Sequence, residues 1–275
     1  MAENKPTYNP IAVNSMIAAL NKYGLTNPNV QTGILGTVGK ETGFKLRPEE
    51  GYGNTKNERI RYIFGSRVAD LTDPQLDKLK KDNYAFFEKV YGYQTKTGKD
   101  LGNTQVGDGY KFRGRAFNGI TGRAQYKLYG DKMGVDLVSN PDRLNEIPLA
   151  AEVTAIYYRD NYANAEKKGY IKTAIGVDKA NDCKTVKDGI EIAIRSTGGW
   201  WGKSLTEGFR LDNLQKATAS ANTILQEAAQ YALAKVSDNP GKSIIGLLFF
   251  LAATVTIVVK RKEIKSFINK NLFKR

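Results

Sequence analysis

The sequence predicts a mainly α-helical protein with a small β or irregular portion near residues 45–57 and one C-terminal transmembrane helix. Three observations carry this. Apolar residues recur at helical spacing, between Asn/Thr-Pro starts and glycine stops, over most of the first 236 residues. The segment KLRPEEGYGNTKN, 45–57, interrupts that pattern with Pro48, Gly51 and Gly53. Residues 243–259, SIIGLLFFLAATVTIVV, form a run of 17 without a charge.

Asn9-Pro10 opens a first helix with the stripe Ile11, Met16, Ile17 and Leu20, ending near Tyr23-Gly24. Thr26-Asn27-Pro28 opens a second, with Val30, Ile34, Leu35 and Val38 on its buried face and Gly43 as its stop. After the 45–57 break, a loop or short β-hairpin, ERIRYIFGSRV is helical through Ile60, Ile63 and Phe64. Thr72-Asp73-Pro74 starts one helix whose stripe includes Leu76, Leu79, Tyr84, Phe87 and Val90; residues 92–109 are rich in Gly, Thr and Asn. Further helices are expected from Ala124 to Met133, from Pro148 through Tyr157, from Asp182 to Thr197, and, amphipathic, from Leu205 to Ala234.

Lys242 precedes the uncharged run and Lys260, Arg261 and Lys262 follow it. Seventeen residues sit at the short edge of a membrane span, and flanking lysines lengthen it by snorkelling. Residues 260–275 hold seven basic residues against Glu263, so this tail carries +6 of the chain's +14 and suits anionic headgroups. The expected division is a folded domain over 1–236, a linker over 237–242, the span over 243–259 and a basic juxtamembrane tail over 260–275. MAENKPTYNP has no basic region followed by an apolar run, so no cleavable signal peptide is expected.

The charge points to an anionic partner. The chain has no histidine, which excludes Ser-His-Asp, Cys-His and HExxH chemistry; Cys183 is the single cysteine, which excludes an intrachain disulfide and a thiolate metal cluster. No metal site and no cofactor are expected. Carboxylates remain for acid–base work, with tyrosine and lysine as lesser candidates. Glu41 falls on the last turn of the second helix, where the dipole and partial burial both favour the protonated form that a general acid needs. Glu49 and Glu50 lie on the loop that follows. The stretch 107–129, GDGYKFRGRAFNGITGRAQYKLY, gathers Tyr110, Phe112, Arg113, Arg115, Asn118, Thr121 and Gln125 among glycines, which suits a groove for a polar, ring-shaped ligand. Trp200 and Trp201 follow Gly198-Gly199, and two adjacent tryptophans in such a loop place at least one at a cleft or interface.

The run Gly114-Arg115-Ala116-Phe117-Asn118-Gly119-Ile120-Thr121-Gly122-Arg123, with Gly107-Asp108-Gly109-Tyr110 before it and Tyr126 after it, resembles the signature of glycoside hydrolase family 19. That family comprises chitinases and phage endolysins on a lysozyme-like helical fold. Lys40-Glu41-Thr42-Gly43-Phe44 resembles its first catalytic glutamate in a His-Glu-Ser-Gly-Gly-Phe context. EEGYGNTKNERIRYIFGSR is similar to its second acidic loop, and Ser196-Thr197-Gly198-Gly199 to its Asn-Gly-Gly element. The resemblance covers roughly residues 10–215. It implies Glu41 as general acid, Glu49 or Glu50 as the base that activates water, and Thr121 as the hydroxyl that helps hold that water. Glu49 is preferred for its three-residue offset to Tyr52. The arrangement is an inverting one, whose carboxylates stand roughly 6.5–9.5 Å apart. Tyr52, Tyr110, Arg113, Arg115, Asn118, Gln125, Thr197 and Trp200 are the expected substrate contacts, with the arginines also tying the acidic residues in place. The departures are Gly119 for a sugar-binding Gln, Gln125 for Asn, Ala116 for Gly and Lys40 for His. An ammonium close to Glu41 would work against its acid role.

The expected function is therefore a membrane-anchored, peptidoglycan-degrading glycan hydrolase of the muramidase or endolysin type, of phage origin, over the domain 1–236. Its partners are peptidoglycan glycan strands, the lipid of a virion or host cell membrane, and other virion proteins, with no specific nucleic acid. Two alternatives stand beside it: a lytic transglycosylase using Glu41 alone, and a non-catalytic wall-binding membrane protein on a degenerate enzyme fold.

Overall fold

A computed structural model describes residues 7–198, 201, 212–224 and 226–227. The described chain is mainly helical: α1 (Pro10–Lys22), α2 (Pro28–Thr42), α3 (Asn57–Phe64), α4 (Asp73–Leu79), α5 (Asn83–Tyr91), α6 (Lys96–Asp100), α7 (Asp108–Lys111), α8 (Arg123–Met133), α9 (Ile147–Lys167), α10 (Tyr170–Ile175) and α11 (Val186–Gly198). Residues 212–224 are also helical. Among the described residues there is no β-strand, and one isolated antiparallel bridge joins Arg115 and Ile120. The 45–57 break is irregular chain and not a hairpin. Among the described residues no helix is long and apolar enough to cross a membrane; the expected linker, span and basic tail, 237–275, lie outside them.

The described residues cluster into two compact units, one drawn from 7–17, 25–43 and the described residues from 162 onward, the other from 18–24 and 44–161. In the first, α2 and α11 pack at backbone contact. α2 begins where Asn27 accepts from the Asn29 and Val30 N–H groups at 2.8 and 3.3 Å, and it ends at Gly43, whose φ of 59° is left-handed. Gly33, Gly36 and Gly39 recur every third residue along it. A Cβ on Gly33 would sit 2.2 Å from the Gly189 carbonyl of α11, one on Gly36 2.4 Å from Ala217 O, and one on Gly39 2.8 Å from Ile224 Cδ1. Ile34, Leu35 and Val38 of α2, and Ile190, Ile192 and Ile194 of α11, are buried, each contributing about 1.5–3 kcal/mol by burial.

The second unit is built on an aromatic cluster. Ile60 and Phe64 of α3, Leu76 of α4, and Phe86, Phe87 and Val90 of α5 are buried, with Tyr52, Tyr91 and Tyr110 packed against them. Tyr52 meets Phe64 edge-on at 4.9 Å, and Phe87 stacks on Tyr91 at 6.0 Å.

Two sequence expectations are corrected, and one stretch without an assignment gains a helix. The single helix expected from Thr72 is two, because Asp82 accepts from Ala85 N–H at 3.0 Å and starts α5 afresh. Residues 92–109 contain α6, capped by Thr95 accepting from Gly98 N–H at 2.9 Å. The helix expected from Asp182 begins at Val186, because Thr185 Oγ1 accepts from Asp188 N–H at 3.1 Å and acts as the cap. Of the region Leu205–Ala234, residues 212–224 and 226–227 are helical and the rest lies outside the described residues.

Gly33→Ala forces a methyl into the Gly189 backbone and is expected to cost about 2–3 kcal/mol, whereas Gly119→Ala, at φ +67° with open space around it, costs about 1 kcal/mol. Urea or thermal denaturation of the two variants checks the order; equal losses would contradict the seam.

Candidate active site around Glu49

Glu49 lies on irregular chain, so its position must come from bonds to distant residues. Its N–H donates to Gly114 O at 2.7 Å, and Arg113 Nε donates to its carbonyl at 3.2 Å. Arg113 is held in turn by Tyr110: Nη1 donates to Tyr110 O at 2.8 Å, and the guanidinium lies 4.1 Å from the Tyr110 ring centroid. The half-buried side chain is equally engaged. Glu49 Oε1 accepts from the Tyr52 hydroxyl at 2.8 Å and from the Tyr91 hydroxyl at 3.4 Å. Burial, reinforced by the Glu49 charge, pushes both tyrosines well above their ordinary value. Both therefore stay protonated and remain donors at every physiological pH.

Oε2 faces the other way, with Gly114 N–H at 3.4 Å. A Cβ placed on Gly114 would lie 3.4 Å from Glu49 Oε2 and 3.5 Å from Thr121 Oγ1. Carboxylate and hydroxyl thus face one small volume, kept clear because position 114 has no side chain. Thr121 Oγ1 donates to Gly119 O at 2.9 Å, which leaves its lone pairs to accept, and Thr121 N–H donates to Gln125 Oε1 at 3.4 Å. A water in this volume can donate to both oxygens, and Oε2 is the oxygen placed to take its proton.

The stretch 107–123 that carries Gly114 and Thr121 is clamped at both ends. Asp108, fully buried, accepts from Thr104 and Gln105 N–H at 2.7 and 3.2 Å and from Arg123 Nε and Nη2 at 2.7 and 2.6 Å. Glu88 of α5 accepts from Gly107 and Tyr110 N–H at 3.2 and 3.0 Å. Between the clamps, Arg115 and Ile120 exchange backbone bonds at 3.1 and 2.8 Å, and the turn between them holds Ala116 at φ +60° and Gly119 at φ +67°.

The other expected site residues divide. Tyr52 and Arg113 hold Glu49, and Gln125 holds the Thr121 backbone. Arg115, expected as a substrate contact that also ties the site, is 3% exposed, and its donors go to Asp142, Lys111 O, Arg113 O and the Tyr126 hydroxyl. Glu50 is exposed and pairs with Arg47 at 3.0 Å, away from the tyrosine network. Asn118 Oδ1 accepts from Thr154 Oγ1 at 3.1 Å, while its buried Nδ2 has no partner among the described residues. Gly119 presents open space where the resemblance has a Gln, and a left-handed φ at 119 would strain any side chain there.

Glu41 and Thr197 belong to the first unit. Glu41 closes α2 as expected, but its side chain is 46% exposed and not partly buried, and Lys40 Nζ pairs with its Oε1 at 2.6 Å. Lys40 also contacts Asn213 Oδ1. Thr197 Oγ1 donates back to Ala193 O at 3.1 Å, along α11. Trp200 lies outside the described residues; Trp201 stacks 6.4 Å from Tyr170. Among the described residues no group of acidic, Cys or His side chains could hold a metal ion. Tyr91, Gly114 and Glu88 are the site residues that the sequence reading missed. Their signal was weak: Tyr91 reads as one more aromatic beside the Phe87–Val90 stripe, and nothing in linear spacing pairs it with Glu49.

Burial pushes the Asp108 carboxyl up, but the bonds from Arg123, Thr104 and Gln105 outweigh it and hold its pKa below the ordinary value. Its contribution to stability is then complete above about pH 4 and is lost as pH falls through the lower folded value. Asp108→Asn is expected to flatten the acid limb of the stability–pH curve; an unchanged acid limb would contradict the clamp. Compared with known protein-family models and with curated proteins, the chain matches none.

Proposed function

We propose that the protein hydrolyses the glycan strands of peptidoglycan, with Glu49 as the base that activates water, Thr121 as the hydroxyl that helps hold it, and Glu41 as the acid that protonates the leaving oxygen. The observation that carries this reading is the division of labour at Glu49. One carboxylate oxygen is held by two tyrosine hydroxyls; the other takes a single long bond, from Gly114 N–H at 3.4 Å, and faces a glycine-cleared volume shared with the Thr121 hydroxyl. The same geometry favours Glu49 over Glu50 as the base.

The resemblance to glycoside hydrolase family 19 and its lysozyme-like fold supports the reaction class, and the basic charge supports an anionic wall. Glu41 must leave Lys40 to act as acid. The carboxylate end of that pair is 46% exposed and the ammonium end 17%, so an arriving substrate reaches the carboxylate from the solvent side. The inverting course, the anchor at 243–259, the lipid-bound basic tail and a place in a virion or host membrane, with phage cell-wall penetration or lysis as the task, belong to this same proposal.

Zymography on purified peptidoglycan tests it. Glu49→Gln and Glu41→Gln are each expected to lower clearing by about 10²-fold or more, and Glu50→Gln to leave it near wild type. Anhydromuramyl ends in the products would shift the reading to a lytic transglycosylase. Clearing unchanged in both of the first two variants would sink it.

A further inference from the structure

The second unit contains a separate cleft of about 740 Å³, lined by Arg67, Tyr84, Lys89, Tyr93, Lys96 and Val106 among others. None of Glu49, Gly114 or Thr121 lines it. Its volume lies in the range of small-ligand sites. Two apolar side chains at the cleft are unusually open: Tyr84 is 46% and Val106 69% exposed.

The charges at the cleft decide the class of ligand. Lys89 pairs with Asp70 at 2.6 Å, and Lys96 with Asp100 at 2.9 Å. Arg67 donates to Phe64 O and Ile63 O at 3.0 and 3.2 Å, with its guanidinium over the Phe64 and Tyr91 rings at 4.9 and 5.6 Å. The Glu88 carboxylate is occupied by the Gly107 and Tyr110 amides. Arg67, Lys89 and Lys96 thus stand against the carboxylates of Asp70, Glu88 and Asp100, so the cleft presents no net charge to favour an anionic ligand. A peptide would look for a strand edge to pair with, and among the described residues there is none. What the cleft offers is an open aromatic ring, an exposed aliphatic, and polar side chains such as Ser66, Gln94 and Thr97. A neutral sugar, with apolar C–H faces and hydroxyls at its edge, matches that combination.

We propose that this cleft is an accessory binding site for neutral oligosaccharide, distinct from the Glu49 site and independent of hydrolysis there. It would hold a glycan strand without cleaving it. The test is amide chemical-shift mapping of the full chain carrying Glu49→Gln, which suppresses turnover, titrated with tetra-N-acetylchitotetraose. Saturable shifts are expected at Gly92, Tyr93, Thr95 and Val106. Tyr84→Ala should weaken the affinity read from that cluster by about fivefold or more. Should Tyr84→Ala disturb the fold through its Tyr110 contact at 5.7 Å, Val106→Ser serves instead, since so exposed a side chain can be changed without repacking. Absence of saturable shifts at the cluster, an affinity unchanged in the folded variant, or saturation of the same amides by a peptidoglycan stem pentapeptide and not by the sugar would each overturn the proposal. Shifts at Gly114 and Thr121 report the other site separately, so a failure there leaves this inference standing.

Discussion

The candidate chemistry depends on one lock, the pair of bonds that joins the Glu49 backbone to the Gly114 carbonyl and the Arg113 side chain. The chain from Gly43 to Lys56 has no helix or ladder to fix it. Glu49 N–H to Gly114 O, at 2.7 Å, and Arg113 Nε to Glu49 O, at 3.2 Å, therefore do what a strand partner would do elsewhere. Each net bond is worth about 1 kcal/mol, too little alone to hold a loop against its entropy. The lock works because its far side is rigid. Asp108 with Arg123, Glu88 with two amides, and Arg115 with Asp142 and Tyr126 hold 107–123 from beneath. The tyrosines that steady the carboxylate are themselves fixed by the aromatic core.

Absence of a side chain is used twice as a construction element. In the first unit, glycines on α2 and α11 bring two backbones into contact, a closeness that any Cβ would prevent. In the second, Gly114 clears the volume between a carboxylate and a hydroxyl. The first use supports packing; the second leaves room beside the candidate base. Ala116 shows the opposite case, an L-residue kept at φ +60° in the tight turn between Arg115 and Ile120, a conformation that costs about 1–2 kcal/mol and that the buried surroundings must offset.

Much of the helical frame was legible in the sequence because helix signals are local. Asn27-Pro28, Gly43, and the Ile60–Phe64 and Phe87–Val90 stripes each report their own neighbourhood. The misplaced boundaries at Asp82 and Thr185 share a cause: a short polar cap inside a continuing apolar stripe restarts a helix without changing its period. The candidate site was half legible. Glu49, Tyr52 and Thr121 stood out by type and spacing, and the Glu49–Tyr52 offset proved to be a hydrogen bond. Tyr91 and Gly114 did not stand out, because they act through contacts across 42 and 65 residues. Arg115 was open to both a tying and a ligand role, because composition cannot distinguish a buried guanidinium from an exposed one.

The central claim is that Glu49 Oε2 takes a proton from attacking water. It is tested most directly by replacing Glu49 with alanine and supplying azide, a small anion that can attack without a base. The rate on a soluble peptidoglycan oligosaccharide, followed by proton NMR, should collapse in Glu49→Ala and recover with azide, giving a glycosyl azide of inverted anomeric configuration. Undiminished turnover in Glu49→Ala without azide, or a rescued product that keeps its configuration, would contradict the account.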